Sequence, residues 1–412
     1  MSDPTRDAAF DLLTAVLEKH RPLEEALDAL PAGVPARDRA AAHRLVAAVL
    51  RRLGTLDAAL EPFLQRAPPE PVRNVLRLGA AGLLLLETPA HAAVATAVGL
   101  ARARKLAPFA GLVNAVLRKV AAGGPALLEG LDSPRLDTPP WLWSSWGVDA
   151  RAIAIAHQQE APLDLSVLPG ADPGAGIPLP TGSWRLPAGT RVATLPGYDE
   201  GWFWVQDAAA ALPARLLAPQ PGEAVADLCA APGGKTAQLA ASGAAVVAVE
   251  RDPGRFQRLQ ENLARLRLPA RLVQADVTAW APGEKFDAVL LDAPCSATGT
   301  IRRHPDVARL KRAADLVALT AAQDRLLDAA ARLLKPAGRL VYAVCSLQPE
   351  EAAPRIAAAA ARTGLRVSPF DAAEQRLLPE AFTPEGWLRT HPALWPEHGG
   401  MDGFFAARLR RD

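Results

Sequence analysis

Ala224-Val-Ala-Asp-Leu228 runs directly into Cys229-Ala-Ala-Pro-Gly-Gly-Lys-Thr236. An apolar run that stops at a glycine-rich turn, with helix formers after it, is the pattern of a buried strand feeding a loop and a helix N-terminus. Glycines there let a ligand approach the backbone, and the following helix offers free amides and the positive end of its dipole. Gly234-Lys235-Thr236 invites comparison with a nucleotide phosphate loop. That loop needs glycine where this chain has Cys229, and the spaced glycines of a dinucleotide fingerprint are missing. The turn therefore reads as the cradle of a ligand without a pyrophosphate.

Downstream the same alternation continues. Ala245-Val-Val-Ala-Val249, Arg271-Leu-Val-Gln274, Phe286-Asp-Ala-Val-Leu-Leu291 and Arg339-Leu-Val-Tyr-Ala-Val344 are further apolar runs, with helices expected to start near Thr236, Pro253 and Leu316. Strands alternating with helices predict an α/β fold with a doubly wound, largely parallel sheet over residues 206–412. Gly403-Phe-Phe-Ala-Ala-Arg408 reads as a closing strand. In such sheets ligands bind outside the carboxyl ends of the strands. The second strand ends on Glu250, where an acid accepts both hydroxyls of a ribose, and the third ends on Asp276, within reach of an adenine. A glycine turn followed by these two acids favours a nucleoside cofactor such as S-adenosylmethionine, although either acid alone reads as a surface carboxylate.

Two cysteines sit at the same edge. Cys295 lies in Asp292-Ala-Pro-Cys-Ser-Ala-Thr-Gly299 and Cys345 in Tyr342-Ala-Val-Cys-Ser346, each after an apolar run. One such thiol is ordinarily packing; two in one crevice, with Asp292 close by, suit methyl transfer to carbon. The C5 of a pyrimidine is too weak a nucleophile to attack a sulfonium methyl group, and a thiolate adding at C6 makes it strong enough. A base must then remove the C5 proton before the thiolate leaves. The nucleophilic thiol needs positive charge beside it, for which Lys235 and the sulfonium are candidates. The sequence pattern alone does not rank the two cysteines.

Upstream, the first 120 or so residues carry apolar residues at helical spacing over 7–17, 36–52, 72–86, 92–105 and 109–120, separated by Pro31, Pro35, Pro68-Pro69 and Pro89. Arg37, Arg39, Arg44, Arg51, Arg52, Arg73 and Arg77 on these helices read either as an RNA-facing surface or as an ordinary solvated face. Ala121-Ala-Gly-Gly-Pro125 marks a boundary. Trp141, Trp143, Trp146 and a Gly/Pro-rich tract from Pro169 to Pro196 follow and suggest a small connector whose tryptophans pack a subdomain more readily than they stack on bases. The expected division is an all-helical domain at 1–125, a connector at 126–205 and an α/β domain at 206–412.

With 50% hydrophobic and 22% charged residues the chain has a globular composition, and its net charge of +2 neither demands nor excludes a nucleic-acid partner. Three widely spaced cysteines suggest a reducing compartment, and Met1-Ser-Asp-Pro-Thr-Arg-Asp7 lacks the basic and apolar parts of an export signal. The expectation is a cytoplasmic protein with no membrane span, no metal and no need of more than a monomer.

The motifs as a set resemble the Sun family of RNA cytosine-5 methyltransferases, and within it the bacterial branch acting on small-subunit ribosomal RNA. The resemblance rests on Gly201-Trp-Phe-Trp-Val-Gln-Asp-Ala208, Asp227 to Thr236, Asp292-Ala-Pro-Cys-Ser296, Arg303-His-Pro-Asp306 and Cys345-Ser-Leu-Gln-Pro-Glu-Glu351, in that order. The helical half resembles the RNA-binding domain of the antitermination factor NusB through Arg73-Asn-Val-Leu-Arg-Leu-Gly79, Pro89-Ala-His-Ala-Ala-Val94 and Val113-Asn-Ala-Val-Leu-Arg118. The resemblance implies a Rossmann-like methyltransferase sheet, Cys345 as the nucleophile at C6 and Cys295 as the residue that assists product release. It implies that Asp292 bonds the base or the cofactor. It further implies that Cys229, Ala230, Ala231, Pro232, Gly233, Gly234 and Lys235 line the cofactor's methionine part, with Glu250 on the ribose, Asp276 by the adenine and Arg255 on the cofactor side. Cys229 would be a wall of that site. S-adenosylhomocysteine is the implied product, and 16S ribosomal RNA, at a loop cytosine that can leave its stack, the implied partner. Just beyond the Cys295 loop, Arg302, Arg303, Lys311 and Arg312 suit phosphate contacts, with a solvated helix face the alternative for Lys311 and Arg312. The chain departs from the family at Ala297, often glycine, at Ala352, commonly asparagine, and at His157-Gln-Gln-Glu-Ala-Pro162, which lacks the usual arginine before proline. The alternatives are the same chemistry on transfer RNA, or a non-catalytic RNA-binding assembly factor.

Overall fold

The structure, a computed structural model, describes residues 3–376 and 378–412. Met1 and Ser2 of the N-terminal stretch read above, and Leu377, lie outside the described residues. The chain divides into two compact units, one of Met1–Gln159 with Ile301–Arg312, the other of Glu160–Thr300 with Ala313–Asp412. The expected boundary at 125/126 falls inside the first unit and that at 205/206 inside the second.

The first unit is helical. Pro4–Leu17, Ala36–Arg51, Glu70–Leu84, Ala90–Ala103 and Ala110–Gly123 are the five anticipated helices, and Leu23–Asp28 and Leu53–Leu60 are two more. Pro22, Pro35, Pro69 and Pro89 each stand just before a helix, where the missing N–H costs nothing. Leu13, Val16, Val46, Val49, Leu76, Val113 and Leu117 meet in one core. Residues 126–159 also belong here, as short helices including Pro140–Trp146 and Ala150–His157. Trp146 is buried with its ring edge-on to His157 at 5.3 Å, and the Arg135 and Arg151 guanidinium groups lie 5.2 and 5.6 Å from the Trp143 ring. Burial, then the charges of Arg302 and Arg51, push the His157 imidazole down to about 3.

The strap Ile301–Arg312 completes this unit. Asp306 Oδ2 accepts from Leu23 N at 2.9 Å, Arg309 donates to the Asp137 carbonyl at 2.6 Å, and Leu310 packs on the helical core. Arg302 is only 2% exposed. That corrects its expected phosphate contact, because a guanidinium enclosed by the fold has no face left for a phosphate. Among the helical arginines, Arg39 donates to the carbonyls of Leu27, Leu30 and Pro31, Arg52 pairs with Asp137 and Arg77 with Asp57 and Glu70, whereas Arg37 and Arg44 are exposed.

The second unit holds two sheets. Strands β1 (Leu163–Val167), β2 (Ile177–Pro178), β3 (Trp184–Leu186) and β4 (Phe203–Val205) form a small antiparallel sheet in the order β2-β3-β1-β4. Its anchor is buried Asp164, held by Arg185 through two 2.7 Å bonds while Arg185 also donates to the carbonyls of His398 and Gly400.

The large sheet contains β5 (Ala224–Leu228), β6 (Ala245–Glu250), β7 (Arg271–Gln274), β8 (Phe286–Asp292), β9 (Leu334–Val344), β10 (Arg366–Val367) and β12 (Phe405–Arg410), ordered β10-β12-β9-β8-β5-β6-β7, with β11 (Leu388–Arg389) beside β12. Neighbours from β7 to β9 run parallel, and β12 returns antiparallel along β9. Alternate residues face opposite layers, as the strand period requires. Leu228, Val249, Leu291 and Val344 pack with Leu327 and Ile356, while Val225, Val246, Leu290 and Val341 pack with Leu212 and Leu239. Burial of both faces is why these strands read as unbroken apolar runs. The chain order reverses between β5 and β8, and that switch point opens a crevice outside their carboxyl ends.

Candidate active site

The turn after β5 is built to stay close to whatever enters the crevice. Cys229 and Gly233 have positive φ, 61° and 106°. A Cβ added at Gly233 would stand 2.8 Å from Leu259 Cδ1, so a larger residue would meet strain at this φ and have to displace the Leu259 side chain. Asn262 Nδ2 donates to the Pro232 carbonyl at 2.8 Å and Arg255 to that of Ala231 at 2.8 Å. Burial pushes the Cys229 thiol up to about 12, helped by Glu250 and Asp292 nearby. That thiol stays protonated at neutral pH.

Glu250, buried at the end of β6, accepts from the backbone N–H of Arg251 and Asp252 through Oε1 at 2.9 and 3.0 Å, and from Ala231 N through Oε2 at 3.4 Å. Arg255 lies 3.8 Å from Oε2. Asp276 stands two residues beyond β7, where its Oδ1 accepts from the Thr278 hydroxyl and N–H at 2.7 and 2.9 Å. Those bonds, the hydroxyl's first, hold its carboxyl below the ordinary range. Arg251 approaches its Oδ2 at 3.5 Å.

At the end of β8, Asp292 Oδ2 accepts from Lys235 Nζ at 2.7 Å, and the ammonium lies 5.1 Å from the centre of the Phe404 ring. Burial opposes the charge on Lys235, but Asp292, with Cys345 and Asp227 adding to it, wins and raises its proton affinity. Beneath this pair, Asp227 is wholly buried. Its Oδ2 accepts from the Thr236 hydroxyl at 2.5 Å, and its Oδ1 has no hydrogen-bond partner among the described residues. Burial raises its carboxyl from 3.8 to about 7, only partly offset by Thr236.

The structure brings the two remaining cysteines together, with Cys295 Sγ 3.4 Å from Cys345 Sγ. Hydrogen bonding to Cys345, then burial and the charges of Cys345 and Glu351, hold the Cys295 thiol well above its ordinary value. Both loops are tied below the sulfurs, where Gly299 N donates to the Cys345 carbonyl at 3.0 Å and Ala293 N to that of Ala343 at 2.9 Å. Ala297, the non-glycine departure noted above, has φ 57°.

Several residues here carried no role in the sequence reading. Asp227 interrupts an apolar strand, which was a legible signal. Glu351, Ser296, Ser346 and Gln323 form a buried cluster beside the thiols, traced in the sequence by the Cys-Ser pair at 295–296 and 345–346 and by the Glu351 that ends the last motif. Phe404 and its contact with Lys235 had none.

Glu250 and Asp292 both lie near Asp227, with Lys235 paired to Asp292 and Arg255 beside Glu250, while Asp276 and Arg251 approach each other at the end of β7. An acid-rich donor set beside a glycine turn fits a ligand that offers hydroxyls and positive charge. Among the described residues no group of three or more His, Cys, Asp or Glu is placed to hold a metal ion, and no helix is long and apolar enough to cross a membrane.

A family model described as 16S rRNA methyltransferase RsmB/F matches residues 214–410, and one for the NusB family matches residues 3–122. Ribosomal RNA small subunit methyltransferase B of Sodalis glossinidius (strain morsitans) is 40% identical, over 99% of this chain and 98% of that protein. Among solved structures, PH0851 shares the fold at a TM-score of 0.75 and 23% identity, covering 99% of each chain. A methyltransferase homolog protein from Pyrococcus horikoshii aligns at a TM-score of 0.54 and 26% identity, covering 69% of this chain and 96% of that one.

Proposed function

The chain belongs to the 16S rRNA methyltransferase RsmB/F family, and from that premise we propose that it transfers a methyl group from S-adenosylmethionine to C5 of a cytosine in 16S ribosomal RNA, through a covalent bond between Cys345 and C6. The observation that carries the reading is the 3.4 Å approach of two thiols at the ends of adjacent parallel strands, on the edge where Lys235 and Asp292 pair.

When bound, S-adenosylmethionine supplies an electrophilic methyl group on a sulfonium. The residues present suit it. Backbone from Cys229 to Lys235 lines the methionine part, Glu250 accepts from the ribose, Asp276 stands by the adenine, and Arg255 holds the loop and Glu250 in place. Asp292 and Lys235 orient each other at the reacting edge, and Lys235 supplies positive charge for a thiolate.

Cys345 as thiolate adds to C6, and the C5–C6 π electrons move to C5, which takes the methyl group. A base at the crevice then takes the C5 proton, and the electron pair of that C–H bond re-forms the C5–C6 double bond and expels the Cys345 thiolate. Cys295 assists this release. Its proton is held most strongly by its bond to Cys345, and that bond weakens once Cys345 is a neutral thioether, so Cys295 exchanges a proton more readily in the adduct than before it. The cytosine reaches the thiols by leaving its stack, which a loop nucleotide does at least cost. The NusB-like helices, where Arg37 and Arg44 are exposed, grip RNA phosphates.

Bisulfite sequencing of ribosomal RNA with and without the gene tests the substrate, and one lost methylcytosine in 16S RNA is the expected result. Loss from transfer RNA instead would reassign it. Cys295→Ala should accumulate a denaturation-resistant protein–RNA adduct and Cys345→Ala should form none. Full turnover in both variants would refute the mechanism.

A further inference from the structure

Glu351 is the most completely engaged acid near the thiols, yet it touches neither sulfur. It has no exposed surface. Its Oε1 accepts from Ser296 N at 3.0 Å and Gln323 Nε2 at 2.9 Å; its Oε2 accepts from the hydroxyls of Ser296 and Ser346, each at 2.5 Å. Ser296 follows Cys295 and Ser346 follows Cys345, so one carboxylate oxygen ties together the residues immediately after both thiols. The same Gln323 amide reaches the Pro294 carbonyl at 3.0 Å, and the Tyr342 hydroxyl holds Glu351 by its backbone carbonyl at 2.8 Å. Every one of these partners is a neutral donor. A buried carboxylate bonded only by neutral groups is costly to keep, and an apolar side chain would hold two loops together without that cost.

The geometry points to Glu351 as the positioning residue of the thiol pair, a buried carboxylate that fixes the spacing of Cys295 and Cys345 by holding the residue that follows each. Two serine hydroxyls on one oxygen set the loops in register to within a hydrogen bond. A misplacement of about 1 Å at a reacting pair costs on the order of 100-fold in rate. After the bond to Cys345, burial and the Cys345 charge, the charge of Glu351 adds to what holds the proton on Cys295. This rests on the cysteine mechanism proposed above.

The test combines Glu351→Gln, which keeps the shape and removes the charge, with Ser296→Ala and Ser346→Ala, which each release one loop. In a Cys229→Ala, Cys345→Ala background, which leaves Cys295 as the one thiol, thiolate absorbance near 240 nm followed against pH should show Cys295 ionising at lower pH when Glu351→Gln is added. With RNA substrate, Glu351→Gln should lower kcat roughly 10- to 100-fold with KM little changed. In a Cys295→Ala background, Ser346→Ala should slow adduct formation, while Ser296→Ala in otherwise intact protein should let adduct accumulate. An unchanged thiol titration together with unchanged kcat would overturn the assignment. If Glu351→Gln does not fold, the serine variants decide, and equal wild-type kinetics in both overturn it. Absence of adduct in Cys295→Ala alone would instead sink the cysteine mechanism, which separates the two failures.

Discussion

Asp227→Asn should change how stability depends on pH, and the size of the change follows from the burial of one carboxyl group. Asp227 titrates at about 7 in the folded protein against 3.8 ordinarily. The folded state therefore holds a proton that the unfolded state has released at every pH between those values, and stability falls as pH rises through that window. A span of about three pH units at about 1.4 kcal/mol per unit gives about 4 kcal/mol by pH 8, an upper figure for a wholly buried group. Asparagine has no proton to lose, and its amide oxygen still accepts from Thr236. Urea unfolding of both proteins, followed by tryptophan fluorescence at intervals from pH 4 to pH 8.5, measures the difference directly. The variant should gain on the wild type steadily as pH rises and level off above about pH 8. A difference between the two curves that stays constant across the range would refute the reasoning, because it would mean that Asp227 ionises in the fold as it does in water.

Gly233→Ala should lower stability by about 1–3 kcal/mol, since it adds strain at positive φ to a contact with Leu259, and should weaken S-adenosylmethionine binding measured by calorimetry. Ala297→Gly should stabilise the protein by up to about 1 kcal/mol, because φ 57° is a conformation glycine adopts without strain; chemical denaturation reads the sign.

How much of this was legible in the sequence differs by layer. The strands from β5 to β9 were visible because a parallel sheet covered on both faces leaves unbroken apolar runs, and the glycine turn announced itself by composition. β10 and β11 were invisible, being only two residues long and defined by pairing with β12. The cysteines were readable as members of one edge, because each follows a strand. The structure adds what periodicity cannot carry, namely that their sulfurs meet and that a single buried acid ties the two loops. Glu351 was hidden because a glutamate in a Pro-Glu-Glu turn looks like a solvated one; only its distant partners, Ser296 and Gln323, reveal otherwise. Arg302 failed in the opposite sense, since a basic run beside a reactive loop looks exposed until its packing is known.

The strap Ile301–Arg312 carries a consequence for how the protein is made. The chain leaves the helical unit at Gln159, builds the first part of the other unit, returns for twelve residues and leaves again. Helices that emerge first from the ribosome thus wait for a piece of sequence more than a hundred residues later before Leu23 and Leu310 find their final partners. At about 5–20 residues per second, that interval is on the order of ten seconds. Birth order and assembly order are therefore uncoupled, and severing the chain after Gln159 would leave the early helices missing a part that only the later sequence encodes.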